Sequence, residues 1–228
     1  MPLIDLSQVA EARTLGDETA RLVREHIIYG SYPPGSRLSE VEVANVLAVS
    51  RTCVREAFAI LESEGLVRRA RNRYTEVVRF TPRDAREVME VRSAIEGLCA
   101  RIVVTEHRIP VEEMERCLAG IERAILSNPV DRRGYVHHDL GFHRALVTAS
   151  GNIHALRHWS LLEAQIHAML YIAIEDLDVT VESTIGLHRA LLETLRDGSP
   201  EVAEQALRSH GIALIPCLEE CLLKKVVL

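Results

Sequence analysis

Two short helical segments joined by only two residues constrain this chain more than any other feature. Ser39-Glu40-Val41-Glu42 has the form of a capping box, with Ser at the cap and Glu three residues on. The helix it opens is expected to bury Val43, Val46 and Leu47. Only Ala48-Val49 separates it from a second cap, Ser50, and a second helix then runs from Arg51 to about Glu64, stopped by Gly65. Val54, Ala57, Phe58 and Leu61 form its apolar stripe, which leaves Arg51, Thr52 and Arg55 on the open face of its first two turns. A joint of this length between short helices is the helix-turn-helix spacing.

The flanks agree with that reading. An earlier helix is expected from about Asp17 to Tyr29, closed by Gly30 and the Pro33-Pro34-Gly35 turn. After Gly65, Leu66-Val67 and Tyr74 to Val78 read as two strands around Arg71-Asn72-Arg73, a hairpin wing with a basic tip. Residues 1–80 therefore form a candidate winged helix-turn-helix domain. Its recognition helix would present Ser50, Arg51, Thr52 and Arg55 to double-stranded DNA, with Arg71 and Arg73 on the wing. Arg pairs bidentately with guanine, and Ser and Thr serve base edges or phosphates.

A net charge of −6 looks unfavourable for DNA, but it is unevenly placed. Residues 1–80 hold 11 Arg against 11 acidic residues, so the later part carries all of the excess. A local basic surface suffices for phosphate contact. The five cysteines are scattered with no CxxC pair, which fits a reducing cytoplasm better than a disulfide framework. No apolar run reaches the roughly 18 residues of a membrane span, and the first residues lack the pattern of a secretory signal.

The N-terminal text closely resembles the GntR superfamily of bacterial regulators. The resemblance rests on Pro34-Gly35-Ser36-Arg37-Leu38-Ser39-Glu40, on Val49-Ser50-Arg51-Thr52-Cys53-Val54-Arg55-Glu56-Ala57-Phe58, and on Leu61-Glu62-Ser63-Glu64-Gly65-Leu66-Val67. It adds Arg37 to the candidate DNA contacts and implies a homodimer whose two heads read a palindromic or near-palindromic operator. Three positions depart from the pattern: Cys53 where many relatives have Pro or Thr, Val41 where several have Arg, and Tyr74 in place of a wing glycine. A thiol at Cys53 also raises the idea of redox control of DNA binding, set against a small half-buried residue at a helix start.

From Thr81-Pro82 onward the periodicity is helical, with helices expected over 82–107, 111–127, 131–149, 153–175, 180–197 and 200–224. Residues 81–228 thus form a second domain, an antiparallel all-α bundle on short loops, and the whole chain is mainly α. Its chemistry lies in polar residues on apolar faces. Asp139 and His143 are i and i+4 beside Tyr135, Phe142 and Leu146. His188 sits among Thr184, Ile185, Leu191 and Leu192, and His210 among Ala203, Leu207 and Leu214. One carboxylate and three imidazoles pointing inward would be costly to bury unpaired. A divalent metal would satisfy all four, and ordinary hydrogen-bonded core histidines are the alternative. His154 and His158 form another i, i+4 pair with no evident third ligand, which reads as a surface feature.

This second region resembles the FCD ligand-binding domain of the FadR branch of GntR regulators. The matching text is Val91-Arg92-Ser93-Ala94-Ile95-Glu96-Gly97, then Asp139-Leu140-Gly141-Phe142-His143-Arg144, then Ala149-Ser150-Gly151-Asn152. The resemblance implies a metal on Asp139, His143, His188 and His210, zinc first, with nickel or manganese open. It also implies a small organic acid effector completing the metal's coordination. Arg92 is the candidate second contact to the effector carboxylate, against an intrahelical Arg92–Glu96 salt bridge, and Asn152 a further lining residue, against a simple helix-end turn. The expected function is a transcriptional regulator, in the family's usual sense a repressor relieved by effector. A metal-dependent enzyme is the competing class, but there is no HExxH and no separate general base, and a DNA-reading head would be superfluous. A metal that is only structural is the third reading.

Overall fold

The computed structural model describes residues 14–69, 74–174 and 181–226. Two compact units part between Val78 and Arg79. The first contains α1 (Leu15–Ile28), β1 (Arg37–Leu38), α2 (Glu40–Leu47), α3 (Arg51–Ser63), β2 (Val67–Arg69) and β3 (Thr75–Val77). α1 begins two residues before the expected Asp17, because Thr14 and Asp17 form a reciprocal capping box that fixes the start at Leu15. Ala20, Val23 and Ile27 of α1 and Val54, Phe58 and Leu61 of α3 supply buried apolar side chains to the shared core. Arg24 of α1 grips Glu64 with two bonds of 2.6 and 2.7 Å.

α2 starts on the expected cap, Ser39 accepting from the Glu42 N–H at 3.4 Å. Its buried residues are Val43 and Ala44, and Val46 is 76% exposed, contrary to the sequence expectation. With 3.6 residues per turn, positions 43, 44 and 47 share one arc and position 46 falls off its edge. Ala48 then closes α2 in the left-handed region at φ 53°, and Ser50 caps α3 through the Cys53 N–H. The joint is thus as short as its spacing implies.

The sheet has the order β1-β3-β2 and is antiparallel throughout, pairing Leu38 with Thr75 and Val67 with Val77. β1 had no sequence signal, since two residues are too few to show alternation. The wing strands lie within a residue or two of expectation, and the tip with Arg71 and Arg73 lies outside the described residues.

The second unit consists of α4 (Pro82–Thr105), α5 (Val111–Leu126), α6 (Arg132–Ala149), α7 (Ile153–Ala173), α8 (Val181–Asp197), α9 (Pro200–Ala213) and α10 (Ile215–Val226). A Thr81–Asp84 capping box and Pro82 at the first helical position open α4. The expected single helix over 200–224 is divided at Leu214. Pro216 has no N–H to give and its ring conflicts with the carbonyl four residues back, so an uninterrupted helix cannot pass it.

α4 runs through the middle, packing against α6, α7, α8, α9 and α10. Its approach to α9 depends on two glycines. A Cβ on Gly97 would lie 2.6 Å from Arg208 Cγ, and one on Gly211 would lie 2.1 Å from Ser93 Oγ. Gly211 adjoins His210, so this close approach delivers an imidazole to the centre of the bundle. No described helix is long and apolar enough to cross a membrane.

Candidate functional site

α6, α8 and α9 each contribute to one buried cluster. The i, i+4 spacing puts Asp139 and His143 on the inward face of α6, with His143 fully buried and Asp139 7% exposed. His188 of α8 is buried as well, and His210 of α9 is half-buried. The three histidines offer ligand atoms that all lie within 4.8 Å of one another. Their ring centroids are 4.9–5.5 Å apart. Asp139 Oδ1 stands 3.1 Å from His188 Nε2. The four residues singled out in the sequence are therefore brought together.

Whether the cluster suits a metal can be judged from its polar atoms. His188 Nδ1–H donates to the Thr184 carbonyl at 2.9 Å, which leaves Nε2 to carry the lone pair. That nitrogen and His143 Nε2 are buried and lack a hydrogen-bond partner. At 3.1 Å the His188 lone pair and the Asp139 carboxylate would repel unless a cation lay between them, either a proton or a metal ion. The same separation suits two ligand atoms each about 2.0–2.2 Å from zinc. The donor set of three imidazoles and one carboxylate fits a divalent ion.

The electrostatics agree. Burial, reinforced by the neighbouring imidazoles, holds His210 down to about 3. Burial also depresses His143, against the pull of Glu96. Both rings are therefore neutral near pH 7, the form that binds metal. Burial opposes charge on His188 too, but Asp139 outweighs it and the shift is upward. Burial likewise disfavours the Asp139 carboxylate, yet His188, His143 and Arg92 together hold it well below the usual range.

A cavity of about 540 Å³ opens onto Asp139, His188 and His210. Arg92 is on its wall, together with Tyr135, Thr184, Thr194 and Ser209. Arg92 also donates through Nε to Glu96 Oε1 at 2.7 Å. The two sequence readings of Arg92, cavity contact and intrahelical ion pair, are thus compatible in one side chain. Asn152 is elsewhere. Its carbonyl oxygen accepts from the His154 and Ala155 N–H groups as the cap of α7, and it borders a separate hollow with Val91, Ile95 and His158. An amide committed to a helix cap and remote from this cavity is not placed to touch a ligand at the histidines. His154 and His158 are exposed, as expected of a surface pair.

In the first unit, Arg51, Thr52 and Arg55 are exposed along one side of α3. Glu40 of α2, which sequence reasoning overlooked, reaches across to both arginines, 2.9 Å to Arg55 Nε and 3.5 Å to Arg51. The Ser50 hydroxyl is engaged as a cap and contacts Cys53 Sγ at 3.1 Å. Cys53 is half-buried beneath it. Arg37 lies 4.2 Å over the Tyr74 ring, so the wing tyrosine supports a candidate contact.

Two other residues of the second unit went unremarked as site residues. Glu96 was legible only as the i+4 partner of Arg92, and nothing in the pattern connected Trp159 to it. Trp159 Nε1–H donates to Glu96 Oε1 at 2.8 Å, and Glu96 Oε2 is 2.9 Å from His143 Nδ1.

Comparison with known proteins bears on both units. Residues 15–77 match the family model described as bacterial regulatory proteins, gntR family, and residues 87–213 match that of the FCD domain. A probable D-xylose utilization operon transcriptional repressor from Paenarthrobacter nicotinovorans is 30% identical over 203 residues, covering 89% of this chain and 88% of that protein. The galactonate operon transcriptional repressor of Escherichia coli K12 is 25% identical, covering 80% and 87%. Among solved structures, E. coli McbR/YncC aligns with a TM-score of 0.73 at 19% identity, over 89% of this chain and 97% of that one. A putative regulator from Rhodococcus sp. RHA1 aligns at 0.67 and 23%, over 89% and 96%. At these identities the structures establish a common fold.

Proposed function

Given that the chain belongs to the GntR family of bacterial regulatory proteins, with an FCD domain following its DNA-binding head, we propose that it is a homodimeric repressor controlled by a small carboxylate at a metal centre. Its relatives are transcriptional regulators rather than enzymes. The two heads would read the halves of a two-fold operator, with Ser50, Arg51, Thr52 and Arg55 facing the major groove and Arg37, Arg71 and Arg73 alongside. Asp139, His143, His188 and His210 would hold the ion, zinc in the first instance.

One observation carries the reading: Asp139, His188 and His210 of the four-residue cluster, together with the buried guanidinium of Arg92, line the same cavity. The ion would act there as a Lewis acid gripping an anionic oxygen. Arg92 would take the same ligand's carboxylate in a charge-assisted pair. Tyr135, Thr184 and Ser209, which also line the cavity, could offer hydroxyls to a hydroxy acid, in keeping with a relative named for a galactonate operon. Regulation requires the ligand to favour one of two states of the protein, since equal affinity for both shifts nothing.

The test uses zinc-loaded protein and DNA from upstream of its own gene. A panel of sugar acids and neutral sugars is screened for release of the protein from that DNA. We expect an acid to lower DNA affinity at least tenfold, and the Asp139→Ala/His188→Ala variant to bind DNA normally without responding. A response to neutral sugars alone, or an unaltered response in the variant, would overturn the metal–carboxylate mechanism. Loss of folding in the variant would instead assign the metal a structural task.

A further inference from the structure

Glu96, on α4, is fully buried. Its two oxygens face different helices. Oε1 accepts from Arg92 Nε at 2.7 Å and from the Trp159 indole N–H, on α7, at 2.8 Å. Oε2 stands 2.9 Å from His143 Nδ1, on α6, and neither of those two atoms has any other hydrogen-bond partner. A carboxylate needed only to balance Arg92 would not have to present its second oxygen to an imidazole. Enclosing a carboxylate here is costly in solvation, which a complete set of partners offsets.

We propose that Glu96 is a positioning residue that orients His143 for metal and ties it to Arg92, and that Trp159, bound to the same carboxylate, reports on metal occupancy. This rests on the metal reading above. With Nδ1 turned toward Glu96, His143 presents Nε2 to the cluster, the arrangement that fixes ring orientation and raises ligand basicity in metal-bound histidines. Arg92 is held on the other oxygen of the same group. Displacement at His143 therefore reaches the cavity guanidinium through one rigid carboxylate. Trp159 is fully buried and is the chain's single tryptophan, so with excitation selective for indole its emission reports on this site alone. The Arg144 guanidinium, paired with Glu163, lies 5.3 Å from the centroid of that ring and helps hold it.

The experiment compares full-length wild type and Glu96→Gln, titrated with zinc alone against a competing chelator. Bound zinc is measured by equilibrium dialysis and Trp159 emission is followed in parallel. Wild type is expected to bind zinc with a change in emission. Glu96→Gln should bind about 10- to 100-fold more weakly, the usual loss on removing such a support, and show little or no emission change. Should the single variant fail to fold, Arg92→Met/Glu96→Gln removes both enclosed charges together, and the same loss of zinc affinity is expected. Zinc affinity within twofold of wild type in either variant would overturn the proposal while leaving the metal centre standing. Wild type that binds no zinc on dialysis would overturn the metal reading and this inference with it.

Discussion

Glu40 sits where its carboxylate can hold Arg51 and Arg55, the two arginines of α3 proposed to meet DNA. All three side chains are at least one-third exposed, so the contacts themselves are worth only about 0.2–1 kcal/mol each. In the proposed complex their importance would lie in competition, because a phosphate or guanine would have to displace Glu40 to engage Arg51 or Arg55. Glu40→Gln is expected to raise affinity for random-sequence DNA by up to about fivefold, the equivalent of 1 kcal/mol. The gain should shrink as salt is raised, which fluorescence anisotropy at two salt concentrations would show. A loss of affinity would mean that Glu40 instead organises the arginines for binding. At this scale the sequence was informative about residue type and mute about cross-element partners. Arg51 and Arg55 could be placed on an open face, but the approach of Glu40 from 11 and 15 positions away depends on the turn at Ala48.

At the scale of elements, the contact between α4 and α9 decides whether His210 reaches the cluster. Gly211 faces Ser93 too closely for any side chain. Gly211→Val should destabilise the protein by about 1–3 kcal/mol, as overpacking does, and weaken zinc binding beyond what the variant's stability explains. Chemical denaturation and chelator competition on the same preparation separate the two. Equal zinc affinity in a destabilised variant would show that His210 tolerates displacement of its helix. Most helices were legible because caps, prolines and apolar spacing agreed, as at Thr81-Pro82. The failures have local causes. β1 exists only through its pairing with β3, Val46 lies one arc away from the buried side, and Pro216 interrupts a pattern that otherwise reads as continuous. The four candidate ligand residues were singled out through the i, i+4 pair and the resemblance together. Asn152 was open to two readings because a cap and a ligand contact draw on the same residue type, and the structure places it as the cap of α7.

For the whole molecule, a metal that binds only the folded state adds to its stability by mass action. Zinc at about 100 times its dissociation constant contributes about 2.7 kcal/mol, an upward shift of about 5–10 °C in Tm for a unit of this size. Chelation should reverse the shift in wild type and have no effect on Asp139→Ala, as differential scanning calorimetry would record. Equal chelator sensitivity in both proteins would place the ion elsewhere.

The burial of Arg92 has a consequence for ligand selection. A surface guanidinium must shed water each time an anion arrives, and that repeated loss weakens every encounter. Arg92, only 2% exposed, surrendered its hydration when the chain folded, and Glu96 already compensates part of its charge. An anion entering the cavity therefore meets a dipole whose reorganisation is complete. Selectivity then falls mainly on what the incoming molecule must give up, favouring weakly hydrated carboxylates over compact, strongly hydrated anions of the same charge.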